Sequence, residues 1–297
     1  MRQIKIQKRL GRNPDAKLLI IHADDVGLCH SVNKATIECF EKGYVNSASV
    51  MVNCPWFNQA VKYFKARQGL DLGIHITITS EWNTYKWGPV LPAASVSSLV
   101  DGKGFFWGHD FHHYVDAKDV EYEVRAQIEK ALAFGLSPTH LDCHMNCLYL
   151  REDLFEIYVK LGREYQLPIM VNKEYAHYFN IDIDQYLDKD AVIVDKIYMA
   201  RPENTQNGIA NYYQHVVRNL QPGLNVLLVH PGQNDDEMRA ISEDVYPWGA
   251  EWREHDRDFF TSKMCKEILD EEGISLITWK ELKENLIDNK SIEVSTT

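Results

Sequence analysis

Apolar residues along this chain fall into two alternating kinds of stretch. Short, nearly continuous apolar runs, partly β-branched, occupy 17–23, 47–52, 71–77, 139–142, 169–171, 196–199, 225–230 and 275–278. Runs of this kind read as strands covered on both faces, the pattern of a parallel sheet. Between them lie stretches with apolar residues at helical spacing, at 31–42, 56–65, 119–134, 151–165, 203–219 and 256–272, with a last helix expected after Trp279. Gly43, Gly135 and Gly273 follow three of these helices, where a chain commonly leaves a helix. Strand alternating with helix predicts an α/β fold built on a parallel sheet. Seven or eight such units predict a distorted (β/α) barrel, with an open doubly wound sheet as the rival. No repeat, low-complexity segment or linker divides the chain, so a single domain is expected over 1–297, its core at about 15–287.

Two stretches break the alternation, 79–111 and 231–255. Both far exceed the ordinary connection of about 4–6 residues. Each follows a strand that carries a histidine near its end, and long loops at one end of a set of strands form a binding face.

Composition narrows the partners. The 297 residues carry a formal net charge of −11, which argues against nucleic acid or an anionic membrane surface. No apolar stretch approaches a membrane span. The start, Met1-Arg2-Gln3-Ile4-Lys5, is basic but leads into no apolar signal core, so a cytoplasmic protein is expected. The six cysteines, at 29, 39, 54, 143, 147 and 265, are expected as free thiols. Cys143 and Cys147 have neither a zinc-site nor a usual redox spacing. No glycine-rich phosphate loop follows the first strand, so nucleotide binding lacks its motif. Nothing here decides oligomeric state, and a homodimer stays open.

The strand ends carry the candidate chemistry. The first run ends in His22-Ala23-Asp24-Asp25, the third delivers His75, the fourth Asp142 and His144, and the seventh His230. In a parallel barrel these ends converge. Adjacent carboxylates repel, so Asp24 and Asp25 call for a cation or a shared proton; the bland alternative is a solvated turn capping the next helix. Two imidazoles and one carboxylate with open positions suit a catalytic metal, which points to Asp25, His75 and His144 as ligands. His22 shares its strand parity with Asp24, and His140 with Asp142, so each pair points one way. His109, His112 and His113 fall in a loop and read as solvated. Taken singly, each histidine reads more readily as core or loop; the joint placement carries the metal expectation.

These residues resemble a known family. His22-Ala-Asp-Asp-Val-Gly-Leu28 is similar to the Asp-Asp-Phe-Gly opening of the YdjC-like (ChbG) carbohydrate deacetylases, relatives of the polysaccharide deacetylases. The likeness continues through Asn46–Asn53, Leu72–His75, Ser98–Phe106, Pro138–His144 and Val229–Gly232, in order along most of the chain. The resemblance implies a seven-stranded, distorted (β/α) barrel that removes acetyl groups from N-acetylated sugars such as chitooligosaccharides, with one divalent metal ion. It implies Asp25, His75 and His144 as metal ligands, Asp24 as catalytic base and His230 as general acid. Magnesium is the ion the resemblance suggests. Imidazole ligands favour zinc, cobalt or nickel. Two departures stand out. Met145-Asn146-Cys147 follows His144 where relatives often carry further histidines, and 168–173 lacks an arginine that many relatives have near this strand, leaving the group that orients the base in doubt. The loop aromatics Trp82, Tyr85, Trp87, Phe105, Phe106, Trp107, Tyr246, Trp248 and Trp252 could face a sugar ring or simply anchor the loops. The rival functions are a metal-dependent hydrolase or lyase on another sugar derivative, and a non-catalytic sugar-binding relative.

Overall fold

The apolar runs form seven strands among the described residues, which are 5–288 of this computed structural model; most of the basic N-terminal stretch, 1–4, and the end of the chain, 289–297, lie outside them. The strands are β1 (Lys17–Val26), β2 (Ser47–Val50), β3 (Leu72–Ile76), β4 (Leu141–Cys143), β5 (Lys196–Met199), β6 (Gly223–Val229) and β7 (Ser275–Leu276). All pair in parallel, in the order β4-β3-β2-β1-β6-β5, with β7 joined to the start of β1. Leu18, Leu19, Ile20 and Ile21 are fully buried, as a strand covered on both faces, by the barrel interior and by the helices, requires.

Between β4 and β5 single parallel bridges carry the ring, Leu141 to Ile169 and Asn172 to Val194. The Met170 N–H donates to Leu141 O, and the Val194 N–H to Val171 O. The strand expected at 169–171 is therefore reduced to bridges. Asn172 keeps its bridge to Val194 while its side chain caps the next helix, accepting from the Tyr175 N–H. The closed but irregular ring is a distorted (β/α) barrel.

The helices are α1 (Ile6–Arg9), α2 (His30–Lys42), α3 (Phe57–Lys65), α4 (Ala117–Ala133), α5 (Glu152–Glu164), α6 (Lys173–Tyr178), α7 (Ile209–Arg218), α8 (Asp236–Ile241), α9 (Ala250–Phe260), α10 (Lys263–Glu271) and α11 (Trp279–Lys283). The single helix expected over 256–272 is two, because Ser262 stops the first and caps α10 by accepting from the Cys265 N–H. The stretch 231–255 is less irregular than its sequence suggests, since it holds α8 and the start of α9. The other long stretch contains only short 3₁₀ turns. Gly43 sits after α2 for a reason other than a left-handed turn. Its φ is −117°, and a Cβ there would lie 2.2 Å from Phe260 O, so the chain needs the close approach. No described helix is long and apolar enough to cross a membrane.

Candidate metal centre

Successive residues of a regular strand point to opposite faces, so Asp24 and Asp25 should diverge. They do not. Asp25 has φ +67°, and the β1–β2 register shifts between Ala23 and Val26. Aspartate is among the few residues that tolerate this left-handed conformation, and the bulge turns the second carboxylate back to the side of the first. Both line one cavity of about 210 Å³ at the carboxyl ends of the strands, with His75, His144 and His230. The structure thus brings together all five residues singled out from the sequence.

Three atoms converge on one point. Asp25 Oδ1 lies 3.4 Å from His75 Nε2 and 3.3 Å from His144 Nδ1. This oxygen is buried and has no hydrogen-bond partner. The far side of each imidazole is already committed. His75 Nδ1 faces Asp142 Oδ1 at 2.9 Å, and His144 Nε2 faces both Glu81 oxygens at 3.0 and 3.1 Å. Carboxylates only accept, so those nitrogens carry the protons and the inward nitrogens present lone pairs. Three acceptors aimed at one buried point fit a divalent cation, and the carboxylate behind each imidazole is the support that metal-ligating histidines use. Asp25, His75 and His144 could hold such an ion.

The charges around this point are strongly coupled. Burial would raise the Asp25 carboxyl, but the Arg253 guanidinium, His144 and His75 hold it well below the usual range. Arg253 donates to Asp25 Oδ2 at 2.7 Å and through Nε to Trp248 O at 2.6 Å. Burial opposes protonation of His144, yet Glu81 and Asp25 raise it to about 9; His75 is raised well above its ordinary value against burial by Asp142 and Asp24. Both describe the cluster with protons in place of a cation.

Asp24 sits beside this point. Its Oδ2 is 3.5 Å from His230 Nε2, while its Oδ1 is buried without a hydrogen bond. Burial pushes His230 down to about 4, so its resting imidazole is neutral at pH 7. The His230 backbone N–H is anchored by Asp256 Oδ2 at 2.8 Å, and Asp256 also accepts from the Tyr213 hydroxyl at 2.6 Å. Burial raises the Asp256 carboxyl to about 6.

Sequence reasoning did not single out Glu81, Arg253 or Asp256. The last two had a signal. Trp252, Arg253, Asp256, Phe259 and Phe260 are all buried, at the spacing of one helix face, so two charges lie on an apolar stripe. Glu81 lies in an irregular loop and had none. An arginine does reach the site, Arg253 from α9, and its hydrogen bond goes to Asp25. Of the loop aromatics, Trp82, Tyr246 and Trp248 line the cavity. Trp87 and Phe106 are buried, and the Trp87 indole N–H donates to Thr79 O, so these two anchor the loop. His109 reaches the cavity, whereas His112 and His113 stack on each other outside it.

The chain is similar to proteins already described. A carbohydrate deacetylase of Thermoanaerobacter pseudethanolicus is 29% identical over 279 residues, covering 90% of this chain and all of that one. A chitooligosaccharide deacetylase of Yersinia enterocolitica is 31% identical over 165 residues, 54% of this chain and 61% of that one. Among solved structures, one from Enterococcus faecalis V583, described as a proposed cellobiose-phosphate cleavage protein, superposes with a TM-score of 0.73 at 26% identity, covering 90% of this chain and 99% of its own. The family model for YdjC-like proteins matches residues 18–271, so the whole cluster at the strand ends falls within the match, and the chain belongs to the YdjC-like protein family.

Proposed function

We propose that this protein is a metal-dependent carbohydrate N-deacetylase, which hydrolyses the acetamide of an N-acetylated sugar such as a chitooligosaccharide to acetate and a free amine. The observation that carries the reading is the convergence of Asp25 Oδ1, His75 Nε2 and His144 Nδ1 beside a carboxylate–imidazole pair, Asp24 and His230, in one cavity. Relatives along the full chain bear the name carbohydrate deacetylase. The reading takes the chain as one catalytic domain, a small carbohydrate as its partner and the cytoplasm as its compartment, in keeping with six free cysteines.

Asp25, His75 and His144 would hold the cation. Magnesium and zinc are the first choices, with cobalt and nickel as alternatives, since imidazole suits the transition ions. When bound, a divalent cation polarises an amide oxygen and makes water acidic enough to ionise near neutral pH. The protein's own groups manage the proton. Asp24, at the wall of the cavity, accepts it from the attacking water as the carbon–oxygen bond forms. The neutral His230 beside Asp24 Oδ2 can then take up that proton. It delivers the proton to the amine as the carbon–nitrogen bond breaks.

The test is acetate release from N-acetylglucosamine mono- and disaccharides, using metal-stripped protein supplied with zinc, magnesium, cobalt or nickel. Acetate should appear with at least one ion, vanish with chelator and be lost in His75→Ala. Sugar turnover without acetate would replace this reading by a hydrolase or lyase on another bond. Absence of stoichiometric ion, with sugar binding unchanged in His75→Ala, would favour a non-catalytic relative.

A further inference from the structure

We infer that His22 is a positioning residue that ties the base Asp24 to the ligand His75 through Asp142; the inference rests on the deacetylase reading for its activity arm and on geometry alone for its metal arm. His22 is fully buried and lies beneath the cavity, not among the residues lining it. Its ring has polar neighbours on both nitrogens. Nδ1 meets Ser47 Oγ at 2.8 Å. Nε2 meets Asp142 Oδ2 at 2.8 Å and Ser49 Oγ at 3.1 Å, and lies 3.2 Å from Asp24 Oδ1. Two carboxylate oxygens at one nitrogen require that nitrogen to carry a proton.

Asp142 is the pivot. Its Oδ2 accepts from His22 and its Oδ1 from His75 Nδ1, so one carboxylate spans two imidazoles. Ser49 Oγ sits 3.1 Å from each ring, at His22 Nε2 and His75 Nδ1. The chain of contacts therefore runs Asp24, His22, Asp142, His75. A shift of His22 moves the base carboxylate at one end and loosens the support of a ligand at the other. Residues of one hydrogen-bonded unit act together, so their deletions do not add.

A purely structural histidine would lower stability and leave the split between kcat and KM alone. The test is a cycle of His22→Gln, Asp142→Asn and the double variant. The readouts are kcat and KM for acetate release, and zinc affinity by calorimetry on stripped protein. His22→Gln should lower kcat at least about tenfold and weaken zinc at least about twofold, and Asp142→Asn should weaken zinc by about tenfold, the usual scale for groups supporting metal ligands. KM should stay within about threefold, and the double variant should be no worse than the poorer single one. Should His22→Gln fail to fold, Ser49→Ala, which removes only the hydroxyl shared by the two rings, must lower kcat in its place. A kcat within threefold of wild type, or single losses that multiply in the double, would overturn the inference. If the wild-type protein releases no acetate, the deacetylase reading fails, and zinc affinity then decides: a change under twofold in His22→Gln overturns the positioning role by itself.

Discussion

Replacing Arg253 by methionine should destabilise this protein strongly without metal and much less with it. Arg253 and Asp25 form an ion pair at 2.7 Å, with side chains 2% and 3% exposed. Methionine keeps apolar contact for the stem, which packs against Gly232, but removes the guanidinium that lies over Trp82 and leaves the Asp25 carboxylate buried without its cation. Breaking one side of a buried pair costs roughly 3–5 kcal/mol. The lower end applies here, because the protonated His75 and His144 still face Asp25 Oδ1 at 3.4 and 3.3 Å and offset part of its charge. Loss of the hydrogen bond to Trp248 O adds roughly 1 kcal/mol. For a chain of this length about 4 kcal/mol corresponds to a fall of roughly 8 °C in Tm. A divalent ion at Asp25 Oδ1 restores positive charge to the carboxylate, so saturating zinc should recover about half of that loss. Thermal unfolding followed by near-UV circular dichroism, in chelator and in zinc, measures both numbers. Equal losses in the two conditions, or a loss below about 2 °C in chelator, would refute the argument that Arg253 and the cation neutralise the same carboxylate.

Three further outcomes follow from the same geometry. Asp24→Asn should lower kcat by at least about 100-fold, the scale of lost general-base catalysis, while zinc binding by calorimetry stays near wild type; retention of most activity would remove Asp24 from the role of base. Glu81→Gln deprives His144 of its carboxylate acceptor and should weaken zinc binding about 10- to 100-fold, so an unchanged affinity would show that His144 needs no such support. His230 has a folded-state pKa near 4 against an ordinary value of 6.5, so the fold favours its neutral form. That contribution is fully present above pH 6.5 and is lost as the pH falls through 4, about 3 kcal/mol in all. Urea titrations from pH 7 to 4 should therefore show a shallower acid loss in His230→Gln than in wild type, and parallel curves would contradict the burial argument.

Much of this site was legible because strand ends in a parallel barrel must converge. Three apolar runs placed His75, Asp142 with His144, and His230 without any tertiary information, and parity along the first and fourth runs placed His22 with Asp24 and His140 with Asp142. What the pattern could not supply came from tertiary packing. The 169–171 run has the composition of a strand, but α6 begins directly after Asn172, whose side chain caps it, and the short run pairs only through bridges. The stretch 256–272 has one helical period throughout, yet Ser262 divides it by offering its hydroxyl to a backbone donor. Arg253 and Asp256 are charges on a buried helix face, visible in the periodicity once the start of α9 is known. Glu81 owes its place to the folded path of a loop without regular spacing.

The division of labour proposed for Asp24 and Asp25 rests on the backbone, since the side chains are identical. A regular β1 would keep His22 and Asp24 inward and send Asp25 into the helical layer, where a lone carboxylate has no partner. The left-handed step at Asp25 reverses that one residue and leaves its neighbours in register with β6 from Lys17 to Ala23. Asp24 then remains on the parity of His22 and inherits its buried contacts, while Asp25, turned back by the bulge, meets the imidazoles of β3 and of the turn after β4. The strained conformation is held from the far side by Arg253, which fixes Oδ2 and so selects Oδ1 as the oxygen that faces His75 and His144. On the proposed reading one strand supplies a buried support, a base and a ligand within four residues, and it can do so only because its last turn departs from the β conformation.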